Sequence, residues 1–317
     1  MKPPYTISSQ ILNLVSEVAH KIGEVNASFL TKQSPELRKQ NRIRTIQASL
    51  AIEGNTLAID QVTAILDKKR VIGPPKDIAE VNNAIQVYAQ LSKYHPYTEK
   101  AFLSAHKTLM QGLVKYPGKY RQSGVGIVKG QAIAHLAPPA AQVPVLMKQL
   151  FQYLRNDEEA ILIKSCVFHY EVEFIHPFAD GNGRMGRLWQ TLILMQQYPV
   201  FEYLPFETLI SKHQQEYYQA LSISDKRGES TYFIVFMLGI LRNALDELLK
   251  ERTGPISSLE RIGLFLTSGV RSFTRKDYMA YFKTVSSATA SRDLQLAVQK
   301  KLIKKQGEKN QTSYQVV

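Results

Sequence analysis

Twelve consecutive residues, His176-Pro177-Phe178-Ala179-Asp180-Gly181-Asn182-Gly183-Arg184-Met185-Gly186-Arg187, bring together an imidazole, a carboxylate, two glycines around an asparagine, and two guanidinium groups. Gly181 and Gly183 are free to take positive φ, so successive backbone N–H groups can curl into an anion nest. The nest should open into a helix beginning near Arg184, whose N-terminal end also attracts anions. Arg184 and Arg187 are three apart, hence on one helical face, and can both offer forked donors to a polyphosphate. Asp180 would repel naked phosphate, so its presence implies a bridging Mg²⁺. A neutral His176 at the other end can take a proton from an attacking hydroxyl. These chemistries add up to a nucleotide-phosphate cradle with a general base beside it.

Such a loop needs rigid flanks, and the sequence supplies them. An apolar helical pattern runs from Ile161 to Ile175, and another follows through Leu188, Leu192, Leu194 and Met195. The motif is therefore expected in a helix–loop–helix connection. It resembles the signature of the Fic family, HPFx(D/E)GNGRxxR, at every specified position. The resemblance implies a mainly α fold, with a helical core that transfers AMP from ATP to a protein hydroxyl. By the same resemblance His176 is the catalytic base. Gly181, Asn182, Gly183, Arg184 and Arg187 bind the nucleotide phosphates, and Asp180 holds the metal.

A second group lies upstream. Ser34-Pro35-Glu36 reads as a helix start, with proline at the first helical position. The helix should stop near Gly54-Asn55. Its end, Ser49-Leu50-Ala51-Ile52-Glu53-Gly54, fits the family's inhibitory pattern (S/T)xxxE(G/N). The resemblance implies that Glu53, with Ser49, occupies the Arg187 fork that should hold the γ-phosphate. Val125 to His135, rich in Val and Ile, reads as a β-hairpin turning around Lys129-Gly130-Gln131. In the family this is a flap, and Lys129, Gly130, Gln131, Ala132 and Ile133 would align an extended target segment. A structural hairpin without a partner fits the same residues. In the family a tyrosine near Tyr217-Tyr218 lines the adenine pocket. Either ring has an apolar face to offer a base, and Tyr217 is preferred.

The remaining elements are helical by periodicity: Ser8–Leu30, Thr56–Asp67, Lys76–Ser92, Glu99–Leu113, Ala141–Leu154, Lys212–Leu221 and Thr231–Leu249. Tyr116-Pro117-Gly118-Lys119-Tyr120-Arg121 also resembles a Fic core element. Residues 251–258 are a linker by composition. Beyond them, three short helices and two candidate strands resemble a winged helix-turn-helix of α+β type. The expected organisation is an N-terminal helical region over 1–95, with the inhibitory helix at about 36–54. A Fic core over 96–250 follows, then the linker and a winged helix over 259–317.

The chain of 317 residues carries a net charge of +13. Residues 251–317 hold twelve Lys/Arg against five Asp/Glu, so the excess is concentrated there. That bias suits DNA phosphates, and it suits acidic proteins as well. The single cysteine, Cys166, excludes an internal disulfide and reads as a small buried hydrophobe. No apolar run is long enough to cross a membrane, and the start lacks the basic-then-apolar order of a signal peptide, so a cytoplasmic location is expected. The best reading is a protein adenylyltransferase using ATP and Mg²⁺ on a Ser, Thr or Tyr hydroxyl of a target protein, itself included. It would be braked by Glu53, with AMP removal and a homodimer both compatible. The alternatives are a DNA-binding regulator using the core as a nucleotide sensor, and a Fic-type phosphotransferase.

Overall fold

The computed structural model describes residues 2–27, 35–124, 126–129, 132–250, 257–266, 268–283, 285–307 and 312–316. Ser34, the end expected for the first helix at 28–30, the Gly130-Gln131 turn, residues 251–256 and the 308–310 turn lie outside them. The chain is mainly helical and divides into two compact units. One comprises residues 1–25 and 39–248, the other 26–38 and 249–317.

Apolar residues at helical spacing produce the run of helices. These are α1 (Ser9–Ala27), α2 (Pro35–Ile52), α3 (Ile59–Leu66), α4 (Pro75–Ala89) and α5 (Glu99–Leu109). After the strands β1 (Gly126–Lys129) and β2 (Ala132–Leu136) come α6 (Val143–Asn156), α7 (Ile161–Ile175) and α8 (Asn182–Met195). Three more helices complete the larger unit: α9 (Glu207–Lys212), α10 (Gln214–Arg227) and α11 (Thr231–Lys250). The stretch expected as one helix from Lys212 is interrupted at His213, which separates α9 from α10.

The pair α7 and α8 forms the centre, and α8 is buried along nearly its whole length. An aromatic cluster locks it to its neighbours. Phe102 on α5 meets Trp189 on α8 edge-on at 5.0 Å, Phe178 of the motif at 5.4 Å and Phe168 on α7 at 6.0 Å. The indole Nε1 of Trp189 donates to Pro96 O at 2.9 Å, so the ring is buried with its one polar atom satisfied. Burial pushes the Cys166 thiol up to about 12, which leaves it a packing residue.

β1 and β2 pair antiparallel, from Gly126 opposite Leu136 to Lys129 opposite Ala132, with a register shift between Ile127 and Val128. In the smaller unit, α12 (Ser258–Leu266), β3 (Ser272–Phe273), α13 (Arg275–Tyr281), α14 (Ser287–Gln299), β4 (Ile303–Gln306) and β5 (Ser313–Val316) follow one another. Its sheet has the order β3-β5-β4. The two-residue strand β3 is too short to carry a period-two pattern, which is why periodicity does not reveal it. Thr274 caps α13 by accepting from the Asp277 N–H, and Ser286 caps α14 by accepting from Thr289. Ile262, Phe265, Phe273, Tyr278, Leu294 and Ile303 form this unit's own core.

Candidate active site

The loop between α7 and α8 is built by its termini. His176 ends α7 in the left-handed region, φ 50°, with its N–H donating to Val172 O at 3.0 Å. A side chain tolerates that conformation poorly, and Pro177 next to it cannot continue the helix. Arg121 holds the corner in place. Its Nε donates to His176 O at 2.7 Å, its Nη2 donates to Ile175 O at 3.3 Å, and its backbone N–H donates to Pro177 O at 2.9 Å. This buried arginine positions the imidazole. In the sequence it is marked by its place after a Pro-Gly turn, in the stretch that resembles a Fic core element.

His106 braces the loop from α5. Gly118 N–H donates to its Nδ1 at 2.8 Å, so the proton lies on Nε2, which donates to Asp180 O at 3.0 Å. The ring stacks on Phe178 with centroids 3.5 Å apart, and burial pushes its pKa down to about 4. His106 is therefore neutral at pH 7. His176 is half-buried, with Nδ1 3.3 Å from Glu173 O.

Several expected placements change with the geometry. α8 begins at Asn182, two residues earlier than expected, and Gly183 lies in its first turn without positive φ. Only Gly181, φ 88°, needs the left-handed region. Gly183 matters through space instead: a Cβ there would collide with Glu53 Oε1 and come within 3.1 Å of Arg187 Nη1. The Asn182 side chain turns inward. It accepts from Phe178 N–H at 2.9 Å and donates to Phe178 O at 3.0 Å, so it staples the loop shut. Tyr217 is fully buried, with its hydroxyl 3.0 Å from His169 Nε2 and 2.9 Å from Glu173 Oε1. Its neighbour Tyr218 is half-buried and donates to Ile52 O at 3.2 Å.

The two motif arginines are held separately. Arg184 donates from Nη1 to Glu80 Oε1 at 3.0 Å and from Nη2 to Asp180 Oδ1 at 3.1 Å. Arg187 is completely buried. Its Nε donates to Ser49 Oγ at 3.1 Å, and its Nη2 donates to Ser49 O at 2.9 Å and to Glu53 Oε1 at 2.8 Å. Arg187 Nη1 and Arg184 Nε have no hydrogen-bond partner among the described residues. Glu53 thus sits at the start of α8, over Gly183, where the free N–H groups of a first helical turn attract an anion. Burial, followed by the nearby Glu53 charge, pushes Glu173 up to about 7. Burial and the Arg187 charge push His169 down to about 3.

Asp180 is a half-exposed carboxylate, and its Oδ1 also accepts from Gly181 N–H at 2.6 Å. A single hard oxygen ligand beside an anion cradle fits Mg²⁺, which binds through one or two carboxylates plus substrate phosphates. No group of three or more His, Cys, Asp or Glu that could form an all-protein cage occurs among the described residues. Of the flap residues, Lys129, Ala132 and Ile133 fall on paired strands, while Gly130 and Gln131 lie outside the described residues.

A mainly helical core carrying this loop is shared with known proteins, and they identify its family. The Fic/DOC family model matches residues 96–194. The crystal structure of a Fic family protein from Desulfovibrio desulfuricans G20 is 42% identical, covers 100% of this chain and 98% of that one, and superposes with a TM-score of 0.76. The chain belongs to the Fic family. Fic-1 from C. elegans, 21% identical with a TM-score of 0.63 over 76% of this chain and 72% of that one, shares the fold. Among curated relatives, "Protein adenylyltransferase Fic" of Aedes aegypti is 28% identical over 66% of this chain and 42% of its own length. This chain therefore spans less than half of that relative. No helix among the described residues is long and apolar enough to cross a membrane.

Proposed function

We propose that this protein transfers AMP from ATP to a hydroxyl of a target protein and is held at rest by Glu53. The observation that carries this reading is the carboxylate of Glu53 on the buried fork of Arg187, at the mouth of the α8 N-terminus. A site built to bind an anion there is filled by one of the chain's own. The naming of curated relatives as adenylyltransferases supports the choice of AMP as the group transferred.

In this reading His176 Nε2 takes the proton of a Ser, Thr or Tyr hydroxyl. The oxygen attacks the α-phosphorus, the bond to the bridging oxygen of the β-phosphate breaks, and pyrophosphate leaves. Arg184 and the first-turn N–H groups of α8 bind the phosphates, and Arg187 binds the γ-phosphate once Glu53 withdraws. Mg²⁺ held by Asp180 would offset charge on the α- and β-phosphates. The paired strands β1 and β2 offer a backbone edge on which an extended target segment can align. Tyr218, half-buried where Tyr217 is fully buried, is the more accessible of the two rings for adenine. Incubation with ATP labelled at the α- or at the γ-phosphate tests the reading. Label from the α-position alone supports AMP transfer, label from the γ-position means phosphotransfer, and neither label refutes both.

The smaller unit supports a second reading, a winged helix that contacts DNA. Three helices with a sheet in first–third–second strand order suit that module, and Arg271, Arg275, Lys276, Arg292, Lys300 and Lys304 are all exposed. Binding to duplex DNA should then fall steeply with salt, because phosphate contacts release counterions. Anisotropy titrations without binding at low salt would leave the module as a protein-contact domain.

A further inference from the structure

Glu80, on α4, is almost fully buried, yet no motif reading singles it out. Each of its carboxylate oxygens holds a different part of the site. Oε1 accepts from Arg184 Nη1 at 3.0 Å, and Oε2 accepts from Asn55 Nδ2 at 2.8 Å. Asn55 lies two residues beyond Glu53, in the turn that closes α2. Its own N–H donates to Leu50 O at 3.1 Å, and its Oδ1 accepts from Leu57 N–H at 3.1 Å. The contacts close a ring: Arg187 to Glu53, along the turn to Asn55, across to Glu80, on to Arg184, and back along one turn of α8.

The two ends of the ring differ in what else supports them. Arg184 is buried, whereas its other acid partner, Asp180, is half-exposed. If Asp180 turns to a metal ion, Glu80 is the remaining acid partner among the described residues that compensates the buried guanidinium and keeps its fork aimed at the loop. At the other end, α2 finishes with Ile52 O accepting from Gln214 Nε2 at 2.7 Å and from Tyr218. The turn also meets α4 at Asp77, which accepts from Asn55 Nδ2 through its carbonyl at 3.1 Å and from Thr56 N–H through its carboxylate at 2.8 Å, but Asn55 is the side chain that links it to a residue which also touches the motif.

We infer that Glu80 is a positioning residue with two tasks: it aims Arg184 at the nucleotide phosphates, and through Asn55 it pins the turn that carries Glu53. This rests on the adenylyltransferase reading for the identity of the anion. A carboxylate can accept from both donors at once. A carboxamide has one acceptor and must turn its NH₂ toward one of them.

The test uses the full chain, with Mg·ATP affinity by calorimetry beside AMP transfer from α-labelled ATP. In a Glu53→Gly protein, adding Glu80→Gln should weaken Mg·ATP binding at least about tenfold and raise KM for ATP more than it lowers kcat. Unchanged affinity would overturn the first task. Asn55→Ala keeps the Glu80–Arg184 pair and therefore remains informative if Glu80→Gln fails to fold, which thermal melting reports. In the otherwise native protein it should raise AMP transfer about threefold or more, whereas after Glu53→Gly it should change transfer by less than about twofold. An equal effect in both backgrounds, or no effect in the first, would overturn the second task. If Glu53→Gly binds Mg·ATP but transfers no AMP, the functional reading fails while the affinity comparison still decides the role of Glu80. If it binds no Mg·ATP, both fail.

Discussion

Each unit of the molecule contains an arginine paired with a carboxylate, and the two pairs are finished differently. In the smaller unit, Arg261 grips Asp293 with both arms, Nε to Oδ2 at 2.6 Å and Nη2 to Oδ1 at 2.9 Å. Tyr278 adds a third donor at 3.0 Å. Burial alone would raise the Asp293 pKa, but these hydrogen bonds, Arg261 foremost, hold it below the ordinary carboxylate value. In the larger unit, Glu53 meets Arg187 through one oxygen, Arg187 Nη1 has no hydrogen-bond partner among the described residues, and the Glu53 side chain is 31% exposed. The first pair is saturated and joins neighbouring helices of one small core. The second is half-made and joins α2 to a helix 134 residues away in sequence. A satisfied buried pair holds a fold together, whereas a pair with donors to spare can exchange its anion for another.

That contrast predicts which contacts should cost activity and which should cost stability. The largest effect is expected at the base. His176→Ala should lower AMP transfer about 10²–10⁴-fold while leaving Mg·ATP binding close to that of the parent, because the imidazole moves a proton and does not cradle phosphate. Near-normal labelling by the variant would remove His176 from the chemistry. Asp293→Ala should instead cost the smaller unit about 1–3 kcal/mol, since it leaves the part-buried Arg261 guanidinium and the buried Tyr278 hydroxyl without their acceptor, and should leave self-labelling by the core intact. Denaturant unfolding followed by the two measurements together checks this. A stable Asp293→Ala protein would erase the distinction between the pairs.

At the exchangeable pair, Glu53→Gly should raise AMP transfer at least about tenfold, equivalent to about 1.4 kcal/mol of barrier. Adding Arg187→Ala should reverse the gain, because the freed fork would be gone. Self-labelling of the wild type, single and double variants reads both. No gain from Glu53→Gly would make Glu53 an ordinary helix-end residue.

The effect expected to touch activity least concerns pH. Burial holds His106 down to about 4 and His169 down to about 3, both below the ordinary histidine value. Depressed values mean that the unfolded chain binds protons the folded one refuses. The stability they contribute is present above pH 6.5 and lost as pH falls below it, by up to about 1.4 kcal/mol per pH unit for each histidine. Glu173, raised to about 7, acts in the opposite sense, and its contribution is lost as pH rises through that value. Melting curves from pH 4 to 8 should flatten on the acid side in His106→Gln. An unchanged acid limb would show that His106 does not carry this term.

Local chemistry made much of this protein legible in its sequence. The helix periods, Pro35 opening α2, Gly54 closing it at φ 90°, the β-hairpin and the loop motif all depend on a residue and its near neighbours. A glycine at a left-handed turn, a proline at a helix start and an apolar stripe act within a few residues, so sequence order alone reveals them. Tertiary packing decided the rest. Arg187 meets Ser49 across 138 residues, Arg184 meets Glu80 across 104, and Arg121 clamps His176 across 55. The same packing turned Asn182 inward to staple the loop, sealed Tyr217 beneath Glu173, and made Gly183 a matter of clearance instead of φ. Residue type shows that a guanidinium will seek an anion. Which carboxylate reaches it first depends on how helices far apart in the chain are packed, and a hydrogen bond formed at 2.9 Å is gone an ångström further out.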